Sequence, residues 1–259
     1  MDLEIRGKYA LVTGGSHGVG LATARALAAE GCNVAICARK EDRLAEAVSQ
    51  LKVQGVKALG IPADVLIPAD IERVVKKVVE TWETLHILIN NVGGGGRWGS
   101  PSIEETSEQV WIDVYNKNAM AAVRFTRLAI PFMRKQKWGR VVTVASIQGC
   151  EGGGRPWYSM AKSAEISLMK TLAMNPDLAR DGITFNTVAP GSVMIPDTGW
   201  EEAKKKNPKE FEKTMSTFPM GRLGTPEEIA NVITFVCSEK ASFLNGACLV
   251  ADGAESRSY

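Results

Sequence analysis

Short runs of β-branched and aliphatic residues alternate along this chain with longer amphipathic stretches, and that alternation limits the fold more than any other feature. "KYALVT" (8–13), "NVAICA" (33–38), "KALGI" (57–61), "HILINN" (86–91), "RVVTVAS" (140–146), "ITFNTV" (183–188) and "ACLVAD" (247–252) read as strands. Most are near-continuous apolar runs, as in parallel strands covered on both faces. Residues 18–30, 41–54, 69–82, 104–135, 157–174 and 226–238 between them carry helical periodicity. Strand, helix, strand repeated in this way predicts a parallel sheet with right-handed crossovers.

The chain has 259 residues without an internal repeat, low-complexity segment or linker, so one domain is expected over 1–259. Residues 191–225 interrupt the rhythm before the last strand. An insertion of that length is expected to be functional or to carry its own short helices. In "EEAKKKNPKEFEK" the charges predict a solvated helix face, with Trp200, Phe211, Met215 and Phe218 on the other.

Net charge is +2 and the basic run at Lys204–Lys206 is short, which gives nucleic acid and anionic membranes no electrostatic footprint. No apolar run reaches the ~18 residues of a membrane span, and the N-terminus lacks a signal-peptide pattern. Five cysteines (Cys32, Cys37, Cys150, Cys237, Cys248) form no C-x-x-C pair, which argues against disulfides and structural zinc and for a cytoplasmic location. His17 and His86 are the only histidines. Neither has a partner that would make a metal site or a Ser-His-Asp relay, so no metal is expected.

The first strand runs into "TGGSHGVG" (13–20) and at once into "LATARALAAEG". Gly14, Gly18 and Gly20 let the backbone turn tightly and approach a pyrophosphate, and the helix that follows offers N–H groups and dipole to phosphate. Strand before and helix after are the context that turns a glycine-rich loop into a nucleotide-binding signal. Further on, Tyr158 stands one helical turn before Lys162. Residues so spaced lie on one helix face, where an ammonium favours the ionised form of a phenol.

These motifs share an order. "TGGSHGVG", "ADV" (63–65), "NNVG" (90–93), Asn118, Ser146, Tyr158 with Lys162, "NTVAPG" (186–191) and the C-terminal "GRLGTPEEIANVITFVCSEKASFLNGACLVADGA" together resemble the short-chain dehydrogenase/reductase family, single-domain branch, from about residue 5 to residue 254. The resemblance implies a Rossmann-type doubly wound parallel sheet of about seven strands. It implies an oxidoreductase moving a hydride between a nicotinamide cofactor and a carbonyl or secondary alcohol. Tyr158 would donate the proton to the carbonyl oxygen, Lys162 would assist it and grip the nicotinamide ribose, Ser146 would orient the carbonyl, and Asn118 would help hold a water linking Lys162 to solvent. Ser16, His17 and Val19 would belong to the cofactor turn. Asp64 and Val65 would flank the adenine, Asn90 and Gly93 the adenosine side of the groove, and Pro190, Gly191 and Val193 the nicotinamide end.

After the second strand an acidic residue would favour NAD by bonding the ribose 2′-hydroxyl. Here Arg39 and Lys40 follow Ala38. A guanidinium suits a phosphate, so NADPH/NADP+ is expected over NADH. The sequence departs from the family at Val92, His86 and Ala254, and at Ile195, where a threonine usually meets the nicotinamide carboxamide; Thr198 is the candidate substitute.

Substrate is expected between the catalytic group, "VGGGGRWGS" (92–100) and the insertion, with Trp98, Gln148, Trp157, Met194, Trp200 and Met215 as candidate contacts. Arg97 and Arg155 would meet an anionic group or water. The helices at 104–135 and 157–174 predict a homotetramer or dimer. The alternatives are an NAD-linked alcohol dehydrogenase of the same fold and a cofactor-binding regulatory or scaffold protein without turnover. Intact Ser146, Tyr158 and Lys162 argue against the last.

Overall fold

Each expected strand pairs in parallel with its neighbours in a computed structural model of the chain, which describes residues 1–258. The elements run β1 (Tyr9–Thr13), α1 (Gly18–Ala29), β2 (Asn33–Ala38), α2 (Glu41–Lys52), β3 (Ala58–Pro62), α3 (Pro68–Trp82) and β4 (Ile87–Asn90). They continue α4 (Glu108–Tyr115), a π-helical turn (Asn116–Met120), α5 (Ala121–Lys135), β5 (Gly139–Val144), a 3₁₀ turn (Ile147–Gly149), α6 (Pro156–Ala173), α7 (Pro176–Arg180) and β6 (Ile183–Pro190). The chain closes with α8 (Gly199–Lys206), α9 (Pro208–Met215), α10 (Pro226–Val236) and β7 (Cys248–Ala251). The sheet order is β3-β2-β1-β4-β5-β6-β7, a doubly wound topology whose direction of travel reverses between β1 and β4. In such sheets ligands bind outside the carboxyl ends of the strands, at that reversal.

Successive side chains of a strand point to opposite faces, and here both faces are covered. Val12, Val34, Ile36 and Ile89 pack with Leu27 of α1, Leu44 of α2 and Ile233 of α10. Leu11, Ala35, Leu88, Val141 and Phe185 face the other way, onto Val75 of α3, Phe125 of α5 and Met169 of α6. Fully burying a side chain of this size stabilises by roughly 1.5–3 kcal/mol, so these two layers dominate the fold's stability. Proline opens α3, α6 and α10, where its missing N–H costs nothing. Thr225 and Glu228 complete a capping box at α10, and Arg222 bonds both oxygens of Glu228 at 2.8 and 2.7 Å. Those guanidinium bonds pull the Glu228 carboxyl down to about 2.

Two expected helices differ. The stretch read as 104–135 begins at Glu108 and contains the π-helical turn around Asn118. The insertion holds two helices, because Pro208 cannot continue α8 and Asn207 caps α9 through Glu210 N. Trp200 packs edge-on against Phe211 and Phe218, each at 6.4 Å, so the expected apolar face is shared between the two helices and the following turn. Among the described residues no helix is long and apolar enough to cross a membrane.

Candidate active site and cofactor cleft

β1 delivers the chain to a turn in which Gly14 and Gly18 have φ of +65° and +54°. A Cβ on Gly20 would lie 2.3 Å from Gly14 O and 2.4 Å from Asn91 Nδ2, so α1 approaches this turn as closely as only glycine allows. Asn91 Nδ2 donates to Thr13 O at 2.8 Å, and the Thr13 hydroxyl accepts from Asn91 N and Val92 N at 2.9 and 3.0 Å. The turn is thereby lashed to the end of β4. Asn90, expected on the groove, points the other way: it is buried, and its Nδ2 donates to Thr126 and Thr143 at 3.0 and 3.2 Å. Strand alternation puts Asn91, not Asn90, on the cleft.

Beside the turn lies a cavity of about 360 Å³. Arg39 and Lys40 reach it from the end of β2, Arg43 from the first turn of α2 and Lys117 from the opposite wall, and Ser16, His17, Asp64, Val65 and Gly93 also line it. Lys117 is half-buried with its Nζ 4.7 Å from the Trp98 ring centroid. Burial and the Arg39 charge hold its ammonium below the usual lysine range, against an opposing pull from Asp64. Arg43 also pairs with Asp197 at the start of the insertion, at 3.0 Å, an exposed contact of small energetic weight. A glycine cradle facing four cations and one lining carboxylate fits the phosphates of a dinucleotide.

The other end of the cleft is built on α6. Lys162 Nζ donates to Val144 O at the end of β5 (3.0 Å) and to Glu165 Oε2 (2.9 Å), and lies 5.7 Å from the Tyr158 ring centroid. Both members of the Lys162–Glu165 pair are buried, 2% and 1% exposed. Burial alone would lower the lysine, but the charges of Glu165 and Tyr158 outweigh it and hold the ammonium above its ordinary range. Burial pushes the Glu165 carboxyl up, with the ammonium pulling against it.

Ser146 caps the 3₁₀ turn, its Oγ accepting from Gln148 N at 3.2 Å. That turn packs on α6, since a Cβ on Gly149 would lie 2.8 Å from the Lys162 carbonyl carbon. Asn118 Nδ2 donates to Val114 O (2.7 Å) and Gly94 O (2.8 Å), while its Oδ1 accepts from Gly94 N at 3.1 Å. The π turn, a feature often found at functional sites, aims this amide at the glycine loop. A Cβ on Gly93 would stand 2.8 Å from both Asn118 Oδ1 and Lys162 Nζ, and one on Gly96 would stand 3.3 Å from the Tyr158 ring. Asn118, Tyr158 and Lys162 therefore converge under residues 93–96.

The remaining expected residues divide. Trp98 is 38% exposed at the cleft, and Gln148 lies against Gly154. Met194 N bonds Gly224 O at 2.9 Å beside the parallel bridge of Val193 with Gly224, while Pro190 ends β6 opposite Ala251 of β7 and Gly191 N, just beyond it, donates to Ala251 O at 3.2 Å. Trp200 is engaged within the insertion. Trp157 does not line the cleft: it is fully buried behind Tyr158, edge-on to Trp111 at 5.4 Å. Residues one apart on a helix face different directions, so Tyr158 at the cleft places Trp157 in the core. Ile195 packs over Gly18, and Thr198 spends its hydroxyl on Ile195 O at 2.7 Å. Sequence reasoning missed Asn91, Arg43, Lys117 and Glu165. The signal for Glu165 was its place three residues after Lys162, on the face that also buries Ala161 and Met169. Among the described residues no three His, Cys, Asp or Glu side chains converge on a metal position.

Residues 14–254 match the family model described as "Enoyl-(Acyl carrier protein) reductase". Dehydrogenase/reductase SDR family member 4 of Oryctolagus cuniculus is 34% identical over 252 residues, 96% of this chain and 94% of that protein. The 3-oxoacyl-[acyl-carrier-protein] reductase FabG of Aquifex aeolicus is 33% identical over 258 residues, 98% and 99% of the two chains. The crystal structure of L-sorbose reductase from Gluconobacter frateurii, complexed with NADPH and L-sorbose, superposes with a TM-score of 0.91 at 34% identity and covers 100% of both chains. With the sheet order, the glycine cradle and the Tyr158–Lys162 pair, these likenesses establish that the chain belongs to the short-chain dehydrogenase/reductase family.

Proposed function

We propose that this protein is an NADP(H)-dependent carbonyl reductase acting on a small ketone or aldehyde, with residues 1–259 as one cofactor-binding and catalytic domain and residues 191–225 as its substrate loop. The observation that carries the reading is the buried Lys162 ammonium beside Tyr158, at the carboxyl end of β5 and under the glycine loop at 93–96. When bound, a reduced nicotinamide cofactor supplies the hydride that adds to the carbonyl carbon. Tyr158 gives the carbonyl oxygen its proton, completing the alcohol, and Ser146 hydrogen-bonds that oxygen and orients it. Lys162 steadies the proton donor and offers its cleft-facing N–H to the cofactor ribose. Asn118 fixes the backbone of Gly94, which keeps the glycine loop above Tyr158.

Preference for the phosphorylated cofactor rests on Arg39, Lys40, Arg43 and Lys117 around one cavity, where a 2′-phosphate would meet them. The L-sorbose reductase complex contains NADPH, which supports the same choice. That neighbour's sugar and the 3-oxoacyl relatives make ketones of these two classes the first to try. We further propose a cytoplasmic homo-oligomer, a tetramer or dimer, associating through α4, α5 and α6, where Ile112 and Met160 stand 44% and 45% exposed. A monomer by light scattering would contradict this.

The test is NADPH consumption by the purified protein against a panel of ketoses, 3-oxoacyl thioesters, cyclic diketones and aldehydes, with Tyr158→Phe in parallel. Turnover on one class that is lost in the variant is expected. Turnover undiminished in Tyr158→Phe would overturn the assignment.

A further inference from the structure

Glu165 is a fully buried carboxylate that the proposed mechanism does not use, and it sits against the group on which that mechanism depends. Buried carboxylates are rare unless paired, and this one accepts a 2.9 Å hydrogen bond from Lys162 Nζ. An ammonium has three N–H groups. One goes to Val144 O at 3.0 Å and one to Glu165, which leaves the third facing the Gly93 side of the cleft. The helix that carries Tyr158 and Lys162 therefore also carries the anchor that aims the lysine.

We propose, on the reductase reading above, that Glu165 is a positioning residue for Lys162. Its carboxylate and the Val144 carbonyl fix the direction of the ammonium, and its negative charge offsets part of the ammonium's pull on the Tyr158 proton. Proton donation by Tyr158, and with it carbonyl reduction, is thereby sustained to higher pH than an unpaired Lys162 would allow.

The charged surroundings keep this argument local. On α6 the titratable groups that act on Lys162 are Glu165 and Tyr158, and the Lys162 charge reaches Lys117 in the π turn only as the smallest of the influences there. β5 presents the Val144 carbonyl, and its charged residue, Arg140, lies at the strand's far end with Glu239 at 3.1 Å. β6 and the 3₁₀ turn carry no charged side chain. α4 brings Tyr115 alongside Trp157, while Glu108 and Asp113 lie away on its outer side, and on α7 Asp177 and Arg180 are exposed.

The experiment is the pH dependence of kcat and kcat/KM for NADPH-dependent reduction in wild type, Glu165→Gln and Glu165→Asp, with Tyr158→Phe beside them. Glu165→Gln keeps the volume and removes the charge. Its high-pH limb should move about one pH unit lower, with turnover on the acid plateau within about threefold of wild type, and Glu165→Asp should restore most of the limb. A packing role alone would lower kcat equally at every pH. A second readout needs no turnover: thermal midpoints of Glu165→Gln, Lys162→Met and the double variant. Glu165→Gln should lower the midpoint more when Lys162 is present than when it is Met, because only then is an unpaired charge left buried. An unmoved limb would overturn the proposal, and so would additive midpoints, which would remove the Lys162–Glu165 pairing on which it rests. If Tyr158→Phe is inactive while the Glu165→Gln limb stays put, this inference alone fails; full turnover by Tyr158→Phe would remove the reductase reading itself.

Discussion

The two ends of the cleft handle positive charge in opposite ways. At the β1–β2 end Arg39, Lys40, Arg43 and Lys117 face one cavity with Asp64 as its lining carboxylate, and Lys117 is held below the usual lysine range by burial and by Arg39. At the β5–α6 end Lys162 is sealed in, hydrogen-bonded to Glu165, and held above that range. Apart from the exposed Arg43–Asp197 contact, the cations of the β1–β2 end have no carboxylate partner among the described residues and stay at least partly solvated, so an incoming anion would supply the missing charge. A cation meant to act on a neighbouring proton is internal and already balanced.

Separating the ends by mutation should give effects that fall in size. Tyr158→Phe should reduce kcat by about 10²- to 10⁴-fold, the range typical of a lost general acid, while cofactor affinity by fluorescence titration stays within threefold. A large loss of affinity would mean the two ends are not separable. Gly93→Ala places a methyl 2.8 Å from both Asn118 Oδ1 and Lys162 Nζ. Displacing a catalytic group by about 1 Å costs on the order of 100-fold in rate, so kcat should drop by about that with the fold intact by circular dichroism.

Lys117→Met should weaken NADPH binding by about five- to tenfold and flatten its dependence on salt, with kcat little changed, because one phosphate-facing charge is lost. Unchanged salt dependence would remove Lys117 from the phosphate end. His86 gives the smallest effect and lies at the start of β4, away from the cleft. Burial and then Lys8 lower it to about 4, and its Nδ1 accepts from Tyr9 N at 3.2 Å. With the folded value below the unfolded one, the neutral ring contributes stability above pH ~6.5 that is lost as pH falls toward 4. After allowance for solvent screening this amounts to about 1–2 kcal/mol, and His86→Gln should lack that component in melts between pH 7 and 4.5.

The phosphate end was legible in the sequence because its signals are local. A strand, "TGGSHGVG", a helix and "ARK" after the next strand lie within 40 residues. Strand positions were readable for the same reason, since both faces of a buried parallel strand must be apolar. The catalytic end was legible in its order of motifs but not in its wiring. Asn90 was placed on the groove where Asn91 stands, because which of two adjacent residues faces the cleft depends on the register of β4. Trp157 was taken for a substrate contact by residue type, although its helix turns it onto Trp111. The position of Glu165 three residues after Lys162 was visible, but its pairing was not, because that depends on burial where α6 packs directly on β5 and β6. The insertion's apolar face was readable, but its break at Asn207–Pro208 and the engagement of Trp200 with Phe211 and Phe218 came from packing.

The contrast between the two ends is tested most directly by parallel titrations of NADPH and NADH with wild type and Arg39→Ala, followed by fluorescence at low salt. The account predicts that wild type binds NADPH at least tenfold tighter, and that Arg39→Ala loses most of that preference while its NADH affinity is unchanged. Equal affinity of the wild-type protein for the two cofactors would contradict it.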